Sequence, residues 1–330
     1  MIDAGADREL GAVAALFTRF DREKWCWICW PVKNRLKNRK IVRKLLISRI
    51  VSMTGLLVAI SGLLMAKESR GDWPPPCGEC EELIGFVQPS EIDDEIRMMV
   101  GKYKSGGGSK KVALQKARGV IETGLYPEFF GGADCPEIDS EKWAIDYSHK
   151  RRRPALHKGI DIPQPRGAPI RAVANGVVVG RFLNKGNRKG IEVMLRHTPE
   201  QTGLPFWTYS QYTHLLEMSH LPIGARVRMG DEIGKTSNSG KMGRRVRRDA
   251  LHFAILYSAH PEWSNDGVAV TPRDGIFMDP NAFYRLQPPY DSQSLSRLPP
   301  RQKHITVPHM KHDGAFEPRD TRRIWPYACN

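Results

Sequence analysis

The sequence predicts a mainly β protein, an antiparallel β sandwich or barrel preceded by short N-terminal helices and, before those, one transmembrane helix. Three observations predict it. Past Asp161 the chain breaks into short β-branched and aromatic runs separated by turn residues. Ahead of them, Ile92, Ile96, Met99, Val100 and Tyr103 fall at helical spacing. Earlier still, a basic flank meets an uncharged apolar run. At 330 residues, one folded domain with appendages fits best. The formal charge of +15 favours an anionic partner, and charge alone does not choose among nucleic acid, a lipid surface and acidic wall polymers.

Residues 1–44 read as a basic cytoplasmic segment, with eight Lys or Arg and no acid between Lys33 and Arg49. Residues 45–66 read as a transmembrane signal anchor. The 17 residues from Ile50 to Ala66 carry no charge, and counting back to Leu45 gives 22, or about 26 to 33 Å of helix, enough to cross a bilayer. The following flank of Lys67, Glu68, Arg70 and Asp72 is near neutral, so the N-terminus is expected in the cytoplasm and everything after Ala66 outside. Leu64-Met65-Ala66 also loosely suits a signal-peptide cleavage site, although Leu is a poor −3 residue. A buried soluble helix fits less well, because the run is apolar on every face. Cys26 and Cys29 then lie inside, and Cys77, Cys80, Cys135 and Cys329 outside, where four cysteines permit three disulfide connectivities.

Residues 67–135 are expected to be a linker with short helices, acting as a stalk or as a cover on the next domain. Pro74-Pro75-Pro76 stiffens its start, Ser90-Glu91-Ile92-Asp93 resembles a helix start, and Lys111 to Thr123 reads as a second helix ended by Gly124. In residues 136–288 the predicted strands are Ile170–Ala174, Val177–Phe182, Ile191–Arg196, Thr208–His214 and Leu251–Tyr257. Asn175-Gly176 is expected to join the first two as a type I′ hairpin, and Gly230-Asp231 to turn another between Val227 and Gly234. Residues 289–330, rich in Pro, Ser, Arg and Lys, are expected to form an irregular basic tail.

Candidate chemistry sits on three segments. In His157-Lys158-Gly159-Ile160-Asp161, flanked by Pro154 and Pro163, a bend must bring His and Asp together. On the strand Ala250 to Ile255, alternation sets His252 among the small side chains of Ala250 and Ala254, which leaves room for a metal and a substrate. Tyr212-Thr213-His214-Leu215 ends a further strand, with Tyr212 and His214 on one face.

In order and rough spacing, these three segments resemble the lysostaphin/LytM-type metallopeptidases. Gly167-Ala168-Pro169-Ile170, Ala174 to Val178, Val227 to Gly234 and Met278-Asp279-Pro280 look like that family's framework, so the resemblance spans about Pro154 to Tyr284. It implies a β fold of the duplicated-hybrid-motif type. It also implies that His157, Asp161 and His252 bind one zinc ion, with His214 as a catalytic helper beside it. The implied activity is hydrolysis of peptide cross-links in peptidoglycan by a domain outside the bacterial cytoplasmic membrane. The partners are then the wall, the membrane through the N-terminal helix and other cell-wall hydrolases, with no nucleic acid among them. One position departs: where the family has His-x-His, Ala250 stands two residues before His252. A catalytically impaired relative that binds wall or activates another hydrolase is therefore the alternative. A third reading, a lipoyl-like carrier hairpin at Ala174 to Val178, lacks the lysine such a turn carries.

Overall fold

A computed structural model of the chain describes residues 83–100, 109–138, 156–184, 189–240 and 248–330, all within one compact unit, Met65–Asn330. The expected cytoplasmic segment 1–44 and anchor 45–66 lie outside the described residues, as do Cys77 and Cys80. Among the described residues no helix is long and apolar enough to cross a membrane.

The fold is mainly β, with mostly antiparallel pairing and few helices. Two short helices come first, α1 (Asp94–Val100) and α2 (Ser109–Ala117), then strand β1 (Tyr126–Phe129). The strands β2 (Ile160–Pro163), β3 (Pro169–Arg171), β4 (Gly176–Asn184), β5 (Gly190–His197), β6 (Trp207–Thr213), β7 (Arg226–Val227), β8 (Glu232–Lys235) and β9 (Ala250–Ser258) follow. After β9 come β10 (Trp263–Asn265), β11 (Val270–Pro272) and β12 (Ile276–Met278). A seven-stranded sheet runs β12-β9-β6-β5-β4-β7, and β2 pairs with the end of β9 not taken by β12. Strand β9 is thus paired along both edges. Its Leu251, Phe253 and Ile255 point into a core shared with Ile160, Ile162, Val193, Leu195 and Tyr212. Within the region expected to be a stalk or cover, Ile92, Ile96, Val120 and Leu125 are buried in that core.

Three expectations are corrected. Neither predicted hairpin forms. Instead β3 pairs with β8, and β4 pairs with β7, so residues 226–235 run antiparallel beside 169–177. Backbone bonds between Ala172 and both Gly230 and Asp231 join the two pairs. Asn175 serves this arrangement rather than a hairpin turn, its side-chain oxygen accepting from the Met229 amide at 2.8 Å. The second helix ends at Ala117 and not near Gly124. Gly119, at φ +90°, turns the chain there, and a Cβ on it would stand 2.3 Å from the Phe277 carbonyl oxygen, which only glycine tolerates.

Residues 289–330 are not irregular. They carry a helix (Ser292–Ser296) and strands β13 (His304–Val307), β14 (His309–Lys311), β15 (Phe316–Glu317) and β16 (Ala328–Cys329). Strand β13 pairs in parallel with β1. Trp325 is fully buried, its indole N–H donating to the Pro136 carbonyl at 2.8 Å, and the Tyr327 hydroxyl meets Thr236 Oγ1 at 2.7 Å. A disulfide joins Cys135 to Cys329. Its polar composition predicts a loose tail, but Leu295, Ile305, Val307, Ile324, Trp325 and Tyr327 are all buried and hold it in place.

Candidate metal centre

Strand pairing assembles the centre. Asp161 on β2 stands directly opposite His252 on β9, and its carboxylate Oδ1 lies 2.7 Å from His252 Nδ1. His157 enters from the turn before β2. That turn runs tight against β9, because a Cβ on Gly159 would meet the Phe253 carbonyl oxygen at 2.3 Å. The close approach brings His157 Nε2 to 2.9 Å from His252 Nδ1 and 3.3 Å from Asp161 Oδ1. His157 and Asp161 are buried, and His252 keeps a narrow opening, its side chain 15% exposed. Burial alone would raise the Asp161 pKa, but the combined pull of His157 and His252 holds it well below the ordinary carboxylate value. The group therefore stays an anionic donor between two imidazoles. These three residues offer one ligand atom each, all within 4.8 Å of one another, and could hold a metal ion.

His214 follows the end of β6 with a left-handed backbone, φ 70°, a conformation that costs a non-glycine residue energy and recurs at functional positions. Its Nδ1 donates toward the carbonyls of Lys189 at 2.9 Å and Ser239 at 3.0 Å. With the ring proton on Nδ1, the Nε2 atom carries the lone pair. The ring centroid lies 5.9 Å from that of His252. The loop supplying Ser239 is docked on the start of β5, where Ile191 N donates to Ser239 Oγ at 3.0 Å and Gly190 leaves no space for a Cβ.

A polar row crosses four strands at this level, with Asp161, His252, Thr213 and Glu192 as successive cross-strand partners. Glu192 is fully buried and accepts from Gln211 Nε2 at 2.5 Å, with Lys189 Nζ at 3.3 Å. Sequence reasoning missed Lys189, Glu192, Gln211 and Ser239, and also Gln115 of α2. The buried Gln115 side chain accepts from the Leu156 amide at 2.8 Å, next to His157. An acid between two apolar residues, Glu192 between Ile191 and Val193, was the one available signal.

Other candidates stand elsewhere. Asp249 pairs with Arg166 at 3.5 Å. His197 is buried between the Asn175 carbonyl, 2.6 Å from Nδ1, and Ser210 Oγ, 2.7 Å from Nε2. His260 is exposed beside Asp274 at 3.6 Å, and His220 is on the surface. None of the four takes the place that Ala250 leaves beside His252.

Residues 155–270 match the model of peptidase family M23. The likeness read from the sequence is thereby shown over that segment, which holds all four residues of the centre. Among solved structures, the chain is similar to the catalytic domain of the antimicrobial peptidase lysostaphin from Staphylococcus simulans, at 20% identity over 36% of this chain and 77% of that one, TM-score 0.27. It is also similar to LytU, at 25% identity over 43% and 83%, TM-score 0.29. An alanine-to-histidine mutant of the catalytic domain of the prophage-encoded M23 protein EnpA from Enterococcus faecalis matches at 21% identity over 42% and 95%, TM-score 0.27.

Proposed function

We propose that this protein is a zinc-dependent endopeptidase that cuts peptide cross-links of bacterial peptidoglycan, with His157, Asp161 and His252 as the ligands and His214 as the proton-handling group. The observation that carries the proposal is the convergence of three donor atoms, 2.7 to 3.3 Å apart, within a segment matching a peptidase family. Two imidazoles and a carboxylate are a donor set zinc takes in catalytic centres, and adjacent donors on a tetrahedral zinc lie about 3.4 Å apart, so a slight spreading suffices. Bound there, zinc would polarise a scissile carbonyl and bring the pKa of a water to about 7.

The chain's own groups do the rest. Asp161 stays ionised and holds both imidazoles in place. His214, fixed by two carbonyls, keeps a basic Nε2 that accepts the proton of the attacking water and returns it to the leaving amine. The segment 45–66 would anchor the chain in the cytoplasmic membrane, with residues 136–288 outside facing the wall. The net positive charge suits a negatively charged murein layer.

Ala250 favours a second reading, in which the domain binds wall or activates another hydrolase with little turnover of its own. The test is to incubate the purified protein with murein, with and without a chelator, and to measure newly freed amino groups. Chelator-sensitive release that disappears in Asp161→Asn is expected. Full zinc occupancy without release would support the second reading, and absence of zinc from carefully prepared protein would overturn both.

A further inference from the structure

A second cluster of metal-ligating side chains lies away from the centre, where β14 and β16 pair and meet the segment before residue 136. Cys135, His309 and Cys329 are all buried, and their sulfur and ring-nitrogen atoms lie within 4.8 Å of one another. His309 is fully buried, yet neither Nδ1 nor Nε2 has a hydrogen-bond partner among the described residues. A buried imidazole normally satisfies at least one nitrogen, since leaving a polar group unpaired costs about 1–3 kcal/mol. Two sulfur atoms stand within 4.8 Å of a ring nitrogen.

We infer that Cys135, Cys329 and His309 form a redox-gated site for a thiophilic divalent ion such as zinc, closed while the disulfide stands and opened when it is reduced. A dithiol reductant supplies two electrons and two protons to break the Cys135–Cys329 bond and is itself oxidised to a disulfide. Metal binding then releases those two protons as the thiols become thiolates, and His309 supplies its lone pair as the third donor. Two thiolates and one imidazole are ligands zinc favours. Because β14 holds His309 and β16 holds Cys329 in register, two of the three donors keep their places when the sulfurs part. The inference does not depend on the proposed peptidase activity.

Cobalt(II) separates the two sites, because sulfur-to-cobalt charge-transfer absorption in the near ultraviolet requires thiolate ligands and the His157, Asp161, His252 centre has none. The experiment uses the full chain with Cys26, Cys29, Cys77 and Cys80 replaced by serine, titrated with cobalt(II) before and after reduction. The expected result is a charge-transfer band and one additional equivalent of bound metal in the reduced form, both absent from the oxidised form. In reduced His309→Gln the affinity behind the band should fall by at least about tenfold. A reduced parent chain that shows no band overturns the inference, as does a folded His309→Gln that binds equally well. The first of these is read on the parent chain, so the inference can fail even if the variant does not fold.

Discussion

Ala250 and His252 are two residues apart on β9 and so about 7 Å apart on one face, which under the proposed mechanism puts a methyl group where the family pattern has an imidazole. Ala250→His is expected to raise the rate of cross-link hydrolysis, by up to the 10² to 10⁴ that a well-placed proton-transfer group contributes. The amino-group release assay reads the gain, and no gain would mean that His214 already carries the proton traffic. His197 makes a different prediction. Burial depresses its pKa to about 4 from 6.5, so between those values the unfolded chain binds the proton that the fold refuses. Its contribution is complete above pH 6.5, shrinks as pH falls through the window and is gone below about 4, on the order of 3 kcal/mol in all. Urea midpoints measured from pH 7 to 4 should fall less steeply in His197→Asn than in the parent. The four residues proposed for the chemistry, His157, Asp161, His214 and His252, are legible in sequence because each sits in a short motif with its own local geometry. Lys189 and Ser239 are not, since they act through backbone carbonyls that any residue type supplies.

At the scale of elements, the long strands of the main sheet follow from alternation and β-branched content, and their bounds shift by only a residue or two. The misread pairs are those governed by turn chemistry. Asn175-Gly176 carries a strong hairpin signal, but the bonds that 169–177 makes with 226–235 lie beyond the reach of any local pattern. The N-terminal helices make the same point. A 3.6-residue period shows that Ile92 and Ile96 share a face, not that α2 delivers Gln115 to the amide before His157. Gln115→Ala should strand that buried amide and destabilise the protein by about 1–3 kcal/mol. It should also weaken metal retention at a centre it never touches, which chelator-competition titration would detect. Unchanged retention would show that the His157 turn is held by β9 alone.

For the whole molecule, the Cys135–Cys329 bond closes a loop with a sequence separation of 194. Its reduction in metal-free buffer is expected to cost about 2–5 kcal/mol, seen as a lower melting temperature. Deleting residues 304–330 removes the partner of β1 and the buried Trp325, and should yield protein that proteases cut readily rather than a trimmed stable domain. The burial of this region was unreadable in advance because its buried hydrophobic residues come in ones and twos within a polar stretch. Strand β9, paired along both edges, has a further consequence for how the centre could come apart. Its amides should be among the slowest to exchange with deuterium, since exposing them requires parting the middle of the sheet. Asp161 sits on a four-residue strand held on one side, and His157 on a turn. An ion leaving the centre would therefore lose the His157 end first and His252 last, so the rate of metal escape would track fraying of that turn rather than global unfolding.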